Sequence, residues 1–185
     1  MKIVLDILKS LRPIFLILFI LFVLAAVFFS YDQYNNYKEN KIAASLTGNL
    51  LLNSDCKTIV NEGTKFDLKF TLENKNSEPV QIESLGVDQD FFGDGSKRYM
   101  DLVGTNPTSV KDGSQDRYSI SNFQDTVEVG AKSKKNLIIT MQAKSRAEAG
   151  AEATTIMVYK GKINFSLKHN ISAEASCQVQ IRYAN

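Results

Sequence analysis

Lys65-Phe66-Asp67-Leu68-Lys69-Phe70-Thr71-Leu72 alternates polar and large apolar residues without a break. A period of two places Phe66, Leu68, Phe70 and Leu72 on one face of a half-buried β-strand. The next stretch, Glu73-Asn74-Lys75-Asn76-Ser77-Glu78-Pro79, carries the residues of a turn. Val80 and Ile82, then Leu85 and Val87, continue as a second strand whose phase slips near Ser84. Further on, Val127 and Val129 end at Gly130, and Leu137–Met141 and Ile156–Tyr159 read as strands. Ile163, Phe165 and Leu167 resume the alternation after Gly161, where a bulge or turn is expected. Ala173, Ala175, Cys177, Val179, Ile181 and Tyr183 alternate through a final strand. Several short strands with Gly, Asn and Pro turns, and no long amphipathic helix among them, predict an antiparallel β-sandwich over 45–185. Residues 88–124 are irregular and rich in Gly, Asp and Ser. They read as a long excursion, with short strands at 97–103 and 117–120. Residues 147–155 read as a small-residue loop or one helical turn.

Upstream of the sandwich the pattern is of another kind. Ile14–Phe29 is an unbroken apolar run, and with Pro13, Ser30 and Tyr31 it makes a span of 19 residues. As a helix that is roughly 28 Å, close to the hydrocarbon thickness of a bilayer. Pro13 suits a first helical turn, and Tyr31, Tyr34 and Tyr37 suit the interface at the exit. Lys2, Lys9 and Arg12 precede the span and Asp32 follows it, so the positive-inside rule puts the N-terminus in the cytoplasm. The expected organisation is a cytoplasmic segment 1–12, a transmembrane helix 13–31, a stalk or helix extension 32–44, and an extracytoplasmic domain 45–185. A cleaved signal peptide ending near Ala25 or Ala26 is the competing reading, but apolar residues continue past that site to Phe29. The span holds no Gly and no charge. It lacks both a small-residue dimerisation face and an ion relay, and it reads as a tether.

Charge narrows the function classes. The chain carries 22 basic and 20 acidic residues. Setting aside Lys2, Lys9, Arg12 and Asp6 leaves 19 of each in the remainder. A neutral domain lacks the basic face of a nucleic-acid binder. His169 is the only histidine. A histidine-rich metal site is thereby excluded, and Ser–His or Cys–His catalysis would have to run through that one residue. His169 precedes Asn170 in what reads as a hairpin turn, and a surface histidine is expected. No small-molecule or cofactor motif is evident, and the expectation is a non-enzyme.

The stretch Leu72-Glu73-Asn74-Lys75-Asn76, followed by Pro79-Val80-Gln81-Ile82, resembles the opening of prokaryotic Ig-like modules of the CARDB type. Val127-Glu128-Val129-Gly130, then a strand and Gly150, resembles their close, with Val129 where Pro is usual. The resemblance covers about residues 55–185, and the 88–124 excursion departs from it. It implies an Ig-like β-sandwich serving adhesion, scaffolding or assembly, with no catalytic residues to carry over.

The remaining candidates are few. Cys56 and Cys177 are the only cysteines, an even count in a domain read as exported. First and last strands of a sandwich commonly neighbour each other, so a disulfide is expected, with two buried thiols as the alternative. Asp88-Gln89-Asp90-Phe91-Phe92-Gly93-Asp94-Gly95 hints at a calcium loop but fails the EF-hand spacing at Phe92 and Tyr99, and a solvated turn is the simpler reading. Two Asn-x-Ser matches, at Asn164 and Asn170, arise often by chance. Lys132, Lys134 and Lys135 read as a solvated basic turn. Phe91, Phe92, Tyr99 and Met100 are the candidate contact surface for a protein partner, with core burial of Phe91 and Phe92 as the competing role. The function expected is a membrane-anchored module for protein binding, adhesion or envelope scaffolding. The alternative is a subunit of a secretion or pilus-like assembly that packs through its helix.

Overall fold

The computed structural model describes residues 2–93, 97–115, 117–150 and 156–184. The chain divides into two compact units, Met1–Ala44 and Ser45–Asn185.

The first unit is helical. Helix α1 runs through Lys2–Thr47 without interruption. Residues 32–47 contain no Gly or Pro, so nothing stops the helix where the apolar run ends, and Gly48 follows its last turn. Residues 32–44, for which a stalk was the other option, are helical. The described apolar side chains from Ile17 to Phe29 are all exposed. Such a helix is long and apolar enough to span a membrane.

The second unit is a two-sheet sandwich. Its strands are β1 (Leu50–Asp55), β2 (Lys57–Asn61), β3 (Lys65–Asn74), β4 (Val80–Asp88), β5 (Met100–Asn106), β6 (Ser109–Gln115), β7 (Tyr118–Val129), β8 (Ser133–Ala143), β9 (Ile156–Leu167) and β10 (Ile171–Arg182). A short helix, α2 (Arg146–Ala149), carries a Ser145 capping box and ends at Gly150 in the left-handed region. One sheet has the order β1-β3-β8-β5 and the other β2-β10-β9-β4-β7-β6. All pairs are antiparallel except β2 with β10.

These orders match the A-B-E-D and G-F-C-C′-C″ sheets of a variable-type immunoglobulin sandwich, with β1 and β2 as a split first strand. The route between positions differs. From the C position (β4) the chain crosses to D (β5), returns to C″ (β6), then C′ (β7), and only then takes E (β8). Residues 88–124 are therefore more than an excursion: they build β5, β6 and the first half of β7. β6 is exposed along almost its whole length, and such an edge strand has no buried face to impose alternation.

The inner faces make one core. Phe70 of β3 meets Phe165 of β9 edge to face, with ring centroids 5.3 Å apart. Leu68, Leu72, Leu85, Ile139, Met141 and Ile163 fill the space around them and are fully buried. Each such side chain contributes about 1.5–3 kcal/mol by leaving water. The phase slip near Ser84 is a bulge between Ile82 and Ser84. No break occurs at Gly161: β9 runs through it. A Cβ there would stand 3.0 Å from the Phe91 ring and 3.1 Å from Asp88 Cβ, so the glycine serves close packing.

Candidate functional site

The residues singled out in the sequence fall in different places. Cys56, between β1 and β2, is bonded to Cys177 of β10, with 5.1 Å between their Cα atoms. The bond ties the point where the chain changes sheets to the neighbouring strand. Phe91 and Met100 are fully buried, which removes both from any contact surface. Phe92 and Tyr99 are half-buried. Tyr99 stacks on Tyr159 at 4.4 Å, and its amide N–H donates to the Phe92 carbonyl at 3.3 Å. Phe91 and Met100 are apolar with flanking turns, so sequence alone did not separate a rim from a core.

Asp88, first residue of the acidic stretch, is fully buried. It accepts from Arg117 Nη2, from Lys162 N at 3.1 Å and from Asp90 N at 3.2 Å. The carboxylate holds Arg117 charged, raising the guanidinium above its ordinary value through that hydrogen bond. Its oxygens are engaged in fixing the 3-10 turn Gln89–Phe91, which places Phe91 against Gly161. Asp94 and Gly95 lie outside the described residues. His169 lies half-buried in the β9–β10 turn with φ 65, beside Asn170 at φ 57. Lys132 occupies the β7–β8 turn, while Lys134 and Lys135 lie on β8. Tyr118 donates to Glu174 at 2.6 Å, and this bond helps push the phenol up to about 12. Glu174 is held below the usual carboxylate range by Lys162 first and then by Tyr118.

Asn74 and Asn76 form a buried polar clamp. Asn74 Nδ2 donates to the carbonyls of Glu78 (2.8 Å), Val129 (3.2 Å) and Gly130 (3.1 Å). Asn74 Oδ1 accepts from Asn76 N and Nδ2. Asn76 Nδ2 also donates to Leu46 O at 3.1 Å, within the same unit. The β3–β4 turn, the β7–β8 turn and the start of the domain are thus held by two amides.

The outer face of the six-stranded sheet, at its β2 edge, is of a different character. Three registered rows cross β2, β10 and β9: Lys57–Gln178–Lys160, Ile59–Gln180–Val158 and Asn61–Arg182–Ile156. Ile59 is 52% exposed, Val158 48% and Ile156 44%. Lys57, Lys160 and Arg182 are exposed, and none makes an ion pair among the described residues. This surface was missed in the sequence. Ile156-Met157-Val158-Tyr159 is apolar at four successive positions, so it never revealed that half of its side chains face water.

No family model matches the chain, and no curated protein matches it. Solved structures similar to it include the CARDB domain of the PF1109 protein from Pyrococcus furiosus, solved in complex with di-metal ions. That match has a TM-score of 0.40 at 12% identity and covers 73% of this chain and 94% of that one. BcpA, the major pilin subunit of Bacillus cereus, is similar with a TM-score of 0.38 at 10% identity, over 74% of this chain and 41% of the pilin. The alkylpurine DNA glycosylase AlkC of Pseudomonas fluorescens, bound to DNA containing an abasic site analog, matches with a TM-score of 0.39 at 12% identity. It is covered over 34% of its length, against 80% of this chain. The chain thus spans less than half of the pilin and about a third of the glycosylase.

Proposed function

We propose that the chain is a single-pass membrane protein whose domain 45–185 lies outside the cytoplasm and binds a protein partner without catalysis. Residues 13–31 cross the bilayer and residues 1–12 stay on the cytoplasmic side. The observation that carries the reading is the outer β2–β10–β9 face, where three exposed aliphatic side chains lie among three cations that make no ion pair among the described residues. Exposed aliphatic side chains clustered within a polar rim mark interaction sites on otherwise soluble domains.

Crosslinking of the full chain in its native membranes tests this. Recovery of a discrete, stoichiometric protein is expected. A fusion of residues 1–31 to an unrelated soluble domain is expected to recover none. Recovery by the fusion would move the interface into the bilayer and favour an assembly subunit that packs through its helix. Recovery by neither would sink the binding reading.

A further inference from the structure

The β2 edge carries more than an apolar cluster. Cys56 O accepts from Gln178 N at 3.1 Å, and Glu62 N donates to Arg182 O at 3.0 Å. Backbone groups alternate sides along a strand, so Cys56, Thr58, Val60 and Glu62 turn toward β10. Lys57, Ile59 and Asn61 turn their N–H and C=O groups to the open side. Asn61 O is used by Thr64. Lys57 and Ile59 therefore present one donor and one acceptor each, and Asn61 one donor. The edges of the sandwich are not alike. β5 is bulged between Leu102 and Gly104, and β6 between Lys111 and Gly113. β2 is registered with β10 without a bulge. β1 is also unbulged, with Leu51 its one strongly exposed aliphatic. At the β2 edge three exposed aliphatics, Ile59, Val158 and Ile156, share a face with Lys57, Lys160 and Arg182, none of which makes an ion pair among the described residues.

We infer that the β2 edge is a docking site for an extended segment of a partner protein that adds as a further strand and places carboxylates and an aliphatic side chain over the outer face. The inference rests on the binding-module reading and specifies its partner. Charge complementarity selects the occupant. The three rows at this edge hold Lys57, Lys160 and Arg182 and no Asp or Glu. The nearest outer-face carboxylate on β10, Glu174, is paired with Lys162 at 2.7 Å. A second copy of the chain added through its own β2 would bring cations to cations. A strand reading Glu-x-Val-x-Glu sets its acids beside Lys57 and Asn61, with Arg182 one strand further in on the Asn61 row, and its Val beside Ile59. Backbone bonds supply affinity in such strand addition, and alternate side chains supply selectivity.

The test uses the full chain in nanodiscs and the synthetic peptide Thr-Glu-Thr-Val-Thr-Glu-Thr, read by saturation-transfer NMR, which detects weak complexes. Saturable binding is expected, with transfer strongest at the Val methyls. The variant Lys57→Glu/Lys160→Glu is expected to weaken it at least tenfold. The variant Lys65→Glu on the other sheet is expected to leave it unchanged. The same peptide with Lys for Glu, or with N-methyl groups at alternate residues, is expected not to bind. Absence of saturable binding overturns the inference, as does binding that survives Lys57→Glu/Lys160→Glu or tolerates reversed peptide charge. Dimerisation of the unmodified chain that Ile59→Lys abolishes would put a second copy in the site and equally overturn it. Failure here is separable from failure of the broader reading: a partner crosslinked in membranes as well by the double variant as by the native chain would leave the module standing and remove only this edge.

Discussion

Asn74 serves three chain segments with one amide, and little else in the domain could replace it. It is fully buried, and its loss strands the carbonyls of Glu78, Val129 and Gly130 along with the donors of Asn76. A stranded buried polar group costs about 1–3 kcal/mol. Asn74→Ala is expected to lower the unfolding free energy by about 2–4 kcal/mol in denaturant titrations of the full chain. A loss below about 1 kcal/mol would show that water replaces the amide. Glu62 makes a second, charge-dependent clamp. Its oxygens accept from Arg146 N at 2.7 Å and Ala184 N at 2.8 Å. Those two bonds hold its carboxyl below the usual 4.5. The stabilisation is therefore fully present above that pH and drains as the pH falls through the lower folded value. Thermal melts between about pH 6 and 2.5 should show a shallower acid-side decline for Glu62→Gln than for the native chain. Equal slopes would assign acid sensitivity to Glu148 and Glu174, both also depressed in the fold. At this scale the sequence was half legible. Asn74-Lys75-Asn76 announced a turn, but two of the three carbonyl partners of Asn74 lie 55 and 56 residues away, and no local pattern carries that pairing.

Among the elements, legibility followed burial. β3, β8 and β10 each keep one face in the core, and each shows a period of two. β6 keeps no buried face and is built of Ser, Val, Lys, Asp, Gly and Gln, so it looked like loop. The candidate site suffered the reverse error. Phe91 and Met100 drew attention for their size and are core, whereas Val158 reads as an ordinary strand residue and Ile59, on β2, lies outside every strand the sequence suggests. The bond from Cys56, at the β1–β2 junction, to Cys177 of β10 belongs to this scale. It closes a separation of 121 residues, for which chain entropy gives about 4–5 kcal/mol. Cys56→Ala/Cys177→Ala is expected to lose up to that amount. A full-chain sample should resist thiol labelling until reduced; labelling beforehand would contradict the bond.

For the molecule as a whole, the long helix and the sandwich make separate demands on their surroundings. The exposed apolar side chains of α1 from Ile17 to Phe29 are incompatible with water. Alkaline washing of membranes should leave the chain in the pellet. If the positive-inside rule sets the orientation, with Lys2, Lys9 and Arg12 inside, protease added to spheroplasts should then remove the domain. Protection of the domain from external protease would reverse the orientation.

The pairing of β2 with β10 bears on timing. In a chain delivered residue by residue, β1 and β2 appear before anything they pair with, and β2 waits for a strand whose Cys177 follows Cys56 by 121 positions. At synthesis rates of about 5–20 residues per second, that delay is about 6–24 s. During this interval Cys56 is an unpaired thiol and the β2 backbone lacks partners on both sides. A newly delivered copy would thus be most vulnerable to mispairing and thiol capture at its earliest strands. Short pulse-labelling with a thiol reagent should mark nascent chains at Cys56 and spare mature ones.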